Sequence, residues 1–315
     1  VTRRLFGLAL LAGFLGADAR AAEPIKVLII DGQNNHDWRK TTPHMKQALE
    51  ACGRFTVDVA TAPPKPQRPS KPKNPTPADD QKYEAALAEY PEAEKVYKQA
   101  MAAFRPPVEQ YAAVLLNYNG DAWPAEFQAA LDAYVKEGKG GLVIVHAANN
   151  SFSGWKDYDR MIGLGWRGNS YGDRLTLDQS GQEKRVPAGT GPGAGHGSKH
   201  PFLITVRDRE HPITKGMPAE WTHSSDELYH GLRGPAGDMH LLATAYSDKS
   251  KGGTGEHEPM IWTVTYGQGR VFHTPMGHDL EAMRCPGFIA TLQRGTEWAA
   301  TGAVTLPLPP EFPAK

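Results

Sequence analysis

Apolar residues in this chain fall into short, nearly continuous runs separated by amphipathic stretches. Ile25-Lys26-Val27-Leu28-Ile29-Ile30 is such a run, of the kind expected for a strand covered on both faces. Asp31-Gly32 breaks it. Thr42-Pro43 offers an N-cap followed by proline at a first helical position, which predicts a helix from there to Ala51, stopped by Gly53. Residues 55–60 read as a second strand. The alternation returns with a strand over 112–116, a helix over 124–137 ending at Gly138, and a strand over 142–145. Repeated strand–helix–strand units predict an α/β fold with a mostly parallel central sheet and helices on both faces. Further on, strands are expected over 202–206 and 241–245. A hairpin is expected over 260–265 and 270–274, turning at Tyr266-Gly267-Gln268-Gly269, and a helix over 287–300 closes the fold.

Two segments depart from this order. Residues 63–107 start as a Pro-, Lys- and Ser-rich stretch and continue as a charged helical one over 79–104, so they read as an insertion in a domain spanning 23–302. A Pro-rich tail follows over 303–315. Residues 1–22 have the form of an export signal: Arg3 and Arg4, an apolar run over 5–15, then Ala19-Arg20-Ala21-Ala22. The arginine pair also resembles a twin-arginine signal, and the expected location is periplasmic or secreted. The apolar run is about half of the ~20 residues a spanning helix needs, so no stable membrane insertion is expected.

Composition narrows the partners. The 315 residues contain 35 Lys plus Arg against 35 Asp plus Glu, which leaves no cationic excess to attract nucleic acid. A small neutral molecule such as a carbohydrate fits that balance. Two cysteines, Cys52 and Cys285, are too few for a disulfide framework, although a single bridge is allowed. Neither stands where a nucleophile is expected.

Ligands of open parallel sheets bind beyond the carboxyl ends of the strands. Polar residues collect there: Gly32 to Asp37 after the first strand, Asn117 to Asp121 after the third, and His146-Ala147-Ala148-Asn149-Asn150 after the fourth. The late hairpin ends in Gly277-His278-Asp279. One histidine after a strand is usually structural, but His36, His146 and His278 at equivalent topological positions point to metal binding or acid–base chemistry. A second group is Asp226-Glu227-Leu228-Tyr229, flanked by His223 and His230. Adjacent carboxylates face different ways, so one is expected to face the site, Glu227 ahead of Asp226. His196, His200 and His211 lie in or beside loops, where histidine is freely tolerated, and Arg270 reads as structural.

Gly140-Gly141-Leu142-Val143 through His146-Ala147-Ala148 begins an ordered set of motifs. It continues with His211-Pro212-Ile213, Asp226-Glu227-Leu228-Tyr229, Pro259-Met260-Ile261-Trp262, Tyr266-Gly267-Gln268-Gly269-Arg270-Val271-Phe272, Gly277-His278-Asp279 and Trp298-Ala299. The set resembles the trehalose-utilisation (ThuA-like) family over about residues 25–302, the insertion apart. The resemblance implies a flavodoxin-like core related to class I glutamine amidotransferases. Those enzymes place a cysteine at the sharp turn after the strand matching 142–145, whereas here the position holds His146, or Ala147 one register on. Without a thiolate, covalent glutamine hydrolysis lacks its first step, which argues against that activity.

The family is linked with oxidoreductases that make 3-keto sugars. The resemblance therefore implies a carbohydrate or 3-keto-glycoside as substrate, and functional coupling to a sugar oxidoreductase. In this scheme His146 removes the acidified C2 proton, Glu227 or Asp226 acts as the acid, and Asn117, Asn149 and Tyr229 contact the sugar. It further implies a divalent metal, zinc foremost, on His36, His146 and His278, with Asp37 and Asp279 orienting imidazoles. A non-catalytic sugar-binding or scaffold protein of the same fold is the alternative, with Trp123, Trp155, Trp166 and Tyr171 as platforms.

Overall fold

Each strand expected above from residue 25 onward is present. In the computed structural model, which describes residues 23–178, 180–234 and 237–312, β1 (Ile25–Asp31) leads through α1 (Trp38–Ala51) to β2 (Phe55–Thr61). The insertion carries α2 (Pro77–Ala102), and β3 (Ala113–Leu116), α3 (Ala125–Lys136), β4 (Gly141–Val145) and α4 (Lys156–Ile162) follow. The remaining elements are β5 (Arg174–Leu177), β6 (Glu183–Val186), β7 (Gly195–His196), β8 (His200–Val206), β9 (Glu220–Asp226), β10 (Tyr229–His230), β11 (Met239–Tyr246), β12 (His257–Tyr266), β13 (Gly269–Thr274), α5 (Leu280–Met283) and α6 (Pro286–Thr301). The export signal read over residues 1–22 lies outside the described residues.

The sheet runs β2-β1-β3-β4-β13-β12-β11-β8-β9, with β5 and β6 attached at β12. Its first five strands pair in parallel, in the flavodoxin-like order, and the rest extend it antiparallel. Alternate residues serve opposite faces: Val27 and Ile29 pack with Met45, Leu49, Phe288 and Leu292, while Leu28 and Ile30 pack with Phe127 and Leu131. Burying one such side chain is worth ~1.5–3 kcal/mol, so the sheet core is a firm base for the loops it carries.

Several boundaries differ from expectation. The first helix begins at Trp38, which puts Pro43 inside it. Thr42 does not cap it, because the Thr41 and Thr42 hydroxyls both accept from Asn117 Nδ2, at 3.0 and 2.9 Å. In the insertion, Thr76 caps α2 by a reciprocal bond with Asp79, and Tyr97 and Met101 are buried in the core. The C-terminal stretch is strapped to α6: Glu297 accepts from Thr305 N and Leu306 N, and Arg294 Nη1 donates to Leu306 O at 2.8 Å. Arg270 has the structural role expected, donating to the Trp298 and Ala299 carbonyls at the end of α6. Both cysteines are free thiols. No helix among the described residues is long and apolar enough to cross a membrane.

Candidate active site

The parallel order stacks the carboxyl ends of β1, β3, β4 and β13 along one edge, and the loops that leave them bring three histidines together. Ring centroids of His36 and His146 are 4.7 Å apart, and those of His36 and His278 are 4.8 Å apart. His146 opens the turn after β4 with φ +47, a left-handed conformation that costs a non-glycine residue ~1–3 kcal/mol and is found where function requires a side chain to project. Glu227, in the turn between β9 and β10, completes the group. Its Oε1 lies 3.3 Å from His278 Nε2 and 3.4 Å from His196 Nε2, and its Oε2 is 3.8 Å from His146 Nε2.

Hydrogen bonds fix which nitrogen of each ring faces inward. His146 Nδ1 donates to Pro275 O at 2.7 Å, His36 Nδ1 to Asn34 Oδ1 at 3.2 Å, His278 Nδ1 to Asp279 Oδ2 at 3.2 Å, and His196 Nδ1 to Gly197 O at 2.7 Å. The Nε2 atoms thereby converge beside one carboxylate, that of His146 also accepting the Tyr229 hydroxyl. His36 Nε2 and His146 Nε2 stand 3.4 Å apart, about the spacing of two nitrogens on a tetrahedral centre with ~2.0–2.1 Å bonds. Ligand atoms of His36, Glu227 and His278 all lie within 4.8 Å of one another.

The electrostatics favour the neutral form of His146 and His36. Burial, reinforced by the His36 and His278 rings against the pull of Asp226, lowers His146 to about 3. Burial and the nearby His278 lower His36 to about 4. Burial raises the Glu227 carboxyl, with His278 and His196 opposing. Tyr229 donates its hydroxyl to His146 Nε2 at 2.9 Å, and burial first, then Glu227 and Asp226, keep that phenol protonated. A cleft of about 490 Å³ opens beside His36 and His278, the two members of the group that line it, together with Asn35, Asp37, Asp279 and Leu280 among others.

Asp226 faces a different task from Glu227. It is fully buried; Oδ2 accepts from His223 Nε2 and Gly277 N at 2.9 and 2.7 Å, and Oδ1 accepts from Glu227 N and His278 N at 2.8 and 3.1 Å. One carboxylate thus fixes the backbone of two cluster members. Burial opposes a charge on His223, and the bond to Asp226 outweighs it, raising the ring to about 9.

Other expected contacts are redistributed. Asp37 is exposed and pairs with Lys40 at 2.8 Å rather than with a ring, and Asn34 orients His36 instead. Asn117 is spent on Thr41, Thr42 and Asn34, so it positions the first loop and does not line the cleft. Asn149 is buried against His273. Trp123 lies in the core, while Trp166 stands edge-on to Tyr229 with centroids 4.5 Å apart. His196, dismissed on sequence as a loop residue, reaches the group because β7 pairs with β10 and sets it opposite Tyr229. No local signal marks that pairing. Asn34, two residues before His36, was within reach as an Asx-type contact.

A family model described as trehalose utilisation matches residues 80–299. A solved ThuA-like protein from Parabacteroides merdae is 39% identical, with 93% of this chain and 95% of that chain covered and a TM-score of 0.78. A ThuA-like protein from Bacteroides uniformis, 16% identical over 90% of this chain and 95% of that chain, shares the fold at a TM-score of 0.56. No curated protein matches.

Proposed function

The chain belongs to the trehalose-utilisation (ThuA) family, and from that premise we propose that it converts a carbohydrate, a 3-keto-glycoside foremost, at the histidine–glutamate cluster. The observation that carries this reading is the convergence of the Nε2 atoms of His36, His146, His196 and His278 beside the Glu227 carboxylate. The donor set suits a borderline divalent cation such as zinc, because each Nδ1 is bonded elsewhere and His36 and His146 are held neutral. His36, Glu227 and His278 would hold the ion, and His146, its Nε2 3.4 Å from that of His36, would join them on giving up the Tyr229 hydroxyl. When bound, the ion supplies a Lewis acid for a sugar carbonyl.

The chain's own groups divide the proton work. An imidazole held near 3 is a weak base, so His146 is better suited to ligation than to the proton abstraction expected of it. His196 is half-exposed, with Nε2 turned to the cluster. It takes the C2 proton made acidic by the 3-keto group, the C1–C2 double bond forms as the C1–O bond breaks, and the same proton returns to the departing oxygen. Tyr229, kept protonated, donates to the developing enolate oxygen. The 3-keto substrate would come from a sugar oxidoreductase.

The second reading is a sugar-binding protein without turnover, for which the half-buried Trp166, edge-on to the buried Tyr229, would supply an aromatic surface. Elemental analysis of the purified protein, with turnover of a 3-keto-glucoside before and after chelation, separates the two. Stoichiometric metal and chelator-sensitive cleavage are expected, with His196→Gln losing turnover but not metal and His146→Ala losing both. No metal and no cleavage would leave the binding protein as the reading.

A further inference from the structure

A second cleft, about 680 Å³ in volume, lies on the other side of the His36 loop. Its walls come from three parts of the chain: the loop after β1 with the start of α1, the loop after β3, and the insertion, which contributes Arg68 and Tyr90. Asn35 lines both clefts. A partly buried network welds the insertion to the two strand-end loops. Gln33 Nε2 donates to Pro63 O at 3.0 Å and to Tyr97 Oη at 2.9 Å, Tyr97 donates to Asp121 Oδ2 at 2.6 Å, and Asp121 N donates back to Gln33 Oε1 at 3.0 Å. Gly120 is packed so closely that a Cβ there would stand 2.4 Å from Gln33 Cβ. The cleft is therefore a constructed feature of the fold.

Its charge is unbalanced. Of the acidic groups nearby, Asp121 pairs with Lys65 at 2.7 Å and Asp37 with Lys40 at 2.8 Å, while Asp37 and the buried Asp31 also feel Arg39 from farther off, which leaves four cations, Lys40, Lys65, Arg39 and Arg68, against three carboxylates. Arg39 and Arg68 both line the cleft, and neither has an ion-pair partner among the described residues. Arg39 lies over the Trp38 ring at 4.4 Å, and a guanidinium held by a ring face can still offer its N–H edges to a planar oxyanion. Guanidinium groups on the walls of a polar cleft are the chemistry that grips a carboxylate or sulfate in paired hydrogen bonds.

We infer that this cleft is a second carbohydrate subsite, which selects glycosides carrying a carboxylate or sulfate ester on the sugar unit remote from the reacting bond. The inference rests on the proposed carbohydrate function and adds the substrate's charge to it. It also gives the insertion a purpose, because Arg68 and Tyr90 are supplied by it.

The test is equilibrium binding to the full chain, by calorimetry, of glucose, glucuronate and glucose 6-sulfate. At least one anionic sugar is expected to bind about tenfold or more tightly than glucose, the equivalent of one charge-assisted hydrogen bond. Whichever anion shows it identifies the substituent. The preference should shrink between about 0.05 and 0.3 M salt and vanish in Arg39→Gln with Arg68→Gln. Both arginines are exposed, so these variants should unfold at the wild-type temperature. Equal affinity for the three sugars, or a preference that survives the double substitution, would overturn the inference and leave the catalytic reading untouched. Conversely, charge preference without metal or turnover would sink the catalytic reading alone.

Discussion

Replacing Asp226 with Asn removes the charge that the buried part of the site is built around. Asp226 and His223 are both fully buried, 2.9 Å apart; burial opposes a charge on the ring, and the bond to Asp226 foremost, with Cys285 beside it, raises the ring to about 9. A histidine that titrates near 6.5 when unfolded and about 9 when folded contributes about 3 kcal/mol to stability while protonated. That agrees with the ~3–5 kcal/mol typically lost on breaking a buried pair. The sign follows from the raised value: the contribution is complete below pH 6.5 and disappears as pH rises through about 9. Asp226 itself is lowered; burial opposes its charge, but the His223 bond wins, so its share is present above 3.8 and lost in acid. Urea unfolding at about pH 6 should therefore show the Asn variant less stable by about 3 kcal/mol, and at about pH 10 the gap should close to about 1 kcal/mol or less. A gap of the same size at both pH values would refute the argument, since it would mean that lost packing and backbone bonds, not the charge pair, set the cost.

Asn34→Ala removes the acceptor that orients His36 and should weaken zinc binding about 10–100-fold with little change in stability, measured by competition with a chromogenic chelator. Asp37→Ala, by contrast, should leave zinc affinity unchanged, because Asp37 pairs only with exposed Lys40. Gly141→Ala would set a Cβ 2.2 Å from the Ala299 carbonyl oxygen of α6, and the forced retreat of the helix should cost about 1–3 kcal/mol in urea unfolding.

The parallel half of the sheet was legible because its strands are buried on both faces and so carry continuous apolar runs. β9 left no such trace: its buried positions are Trp221, His223 and Asp226, two of them polar, and a polar residue shows burial only once its partner is known. The same blindness governed the site. His36, His146 and His278 were visible as a set because each ends a strand, whereas His196 depends on a two-residue ladder with Tyr229. Asp37 looked the natural partner for His36, yet Lys40, one helical turn on, claims it, and Asn34 is the residue that meets Nδ1. The Glu227 carboxylate stands beside the cluster, whereas Asp226 holds its neighbours' backbone from beneath.

The cluster takes its members from the loop after β1, the start of the turn after β4, the arm between β9 and β10, and the end of β13. No local stretch of chain holds more than one of its facing ring nitrogens, so the site exists only after the long-range strand pairings are complete. An ion bound there would act as a clasp between distant parts of the polypeptide. At a hundredfold excess over its dissociation constant it would add about 2.7 kcal/mol to the folded state alone. Occupancy of the clasp would then report that the whole chain has closed, and a fragment from either end, however well folded, would leave it open.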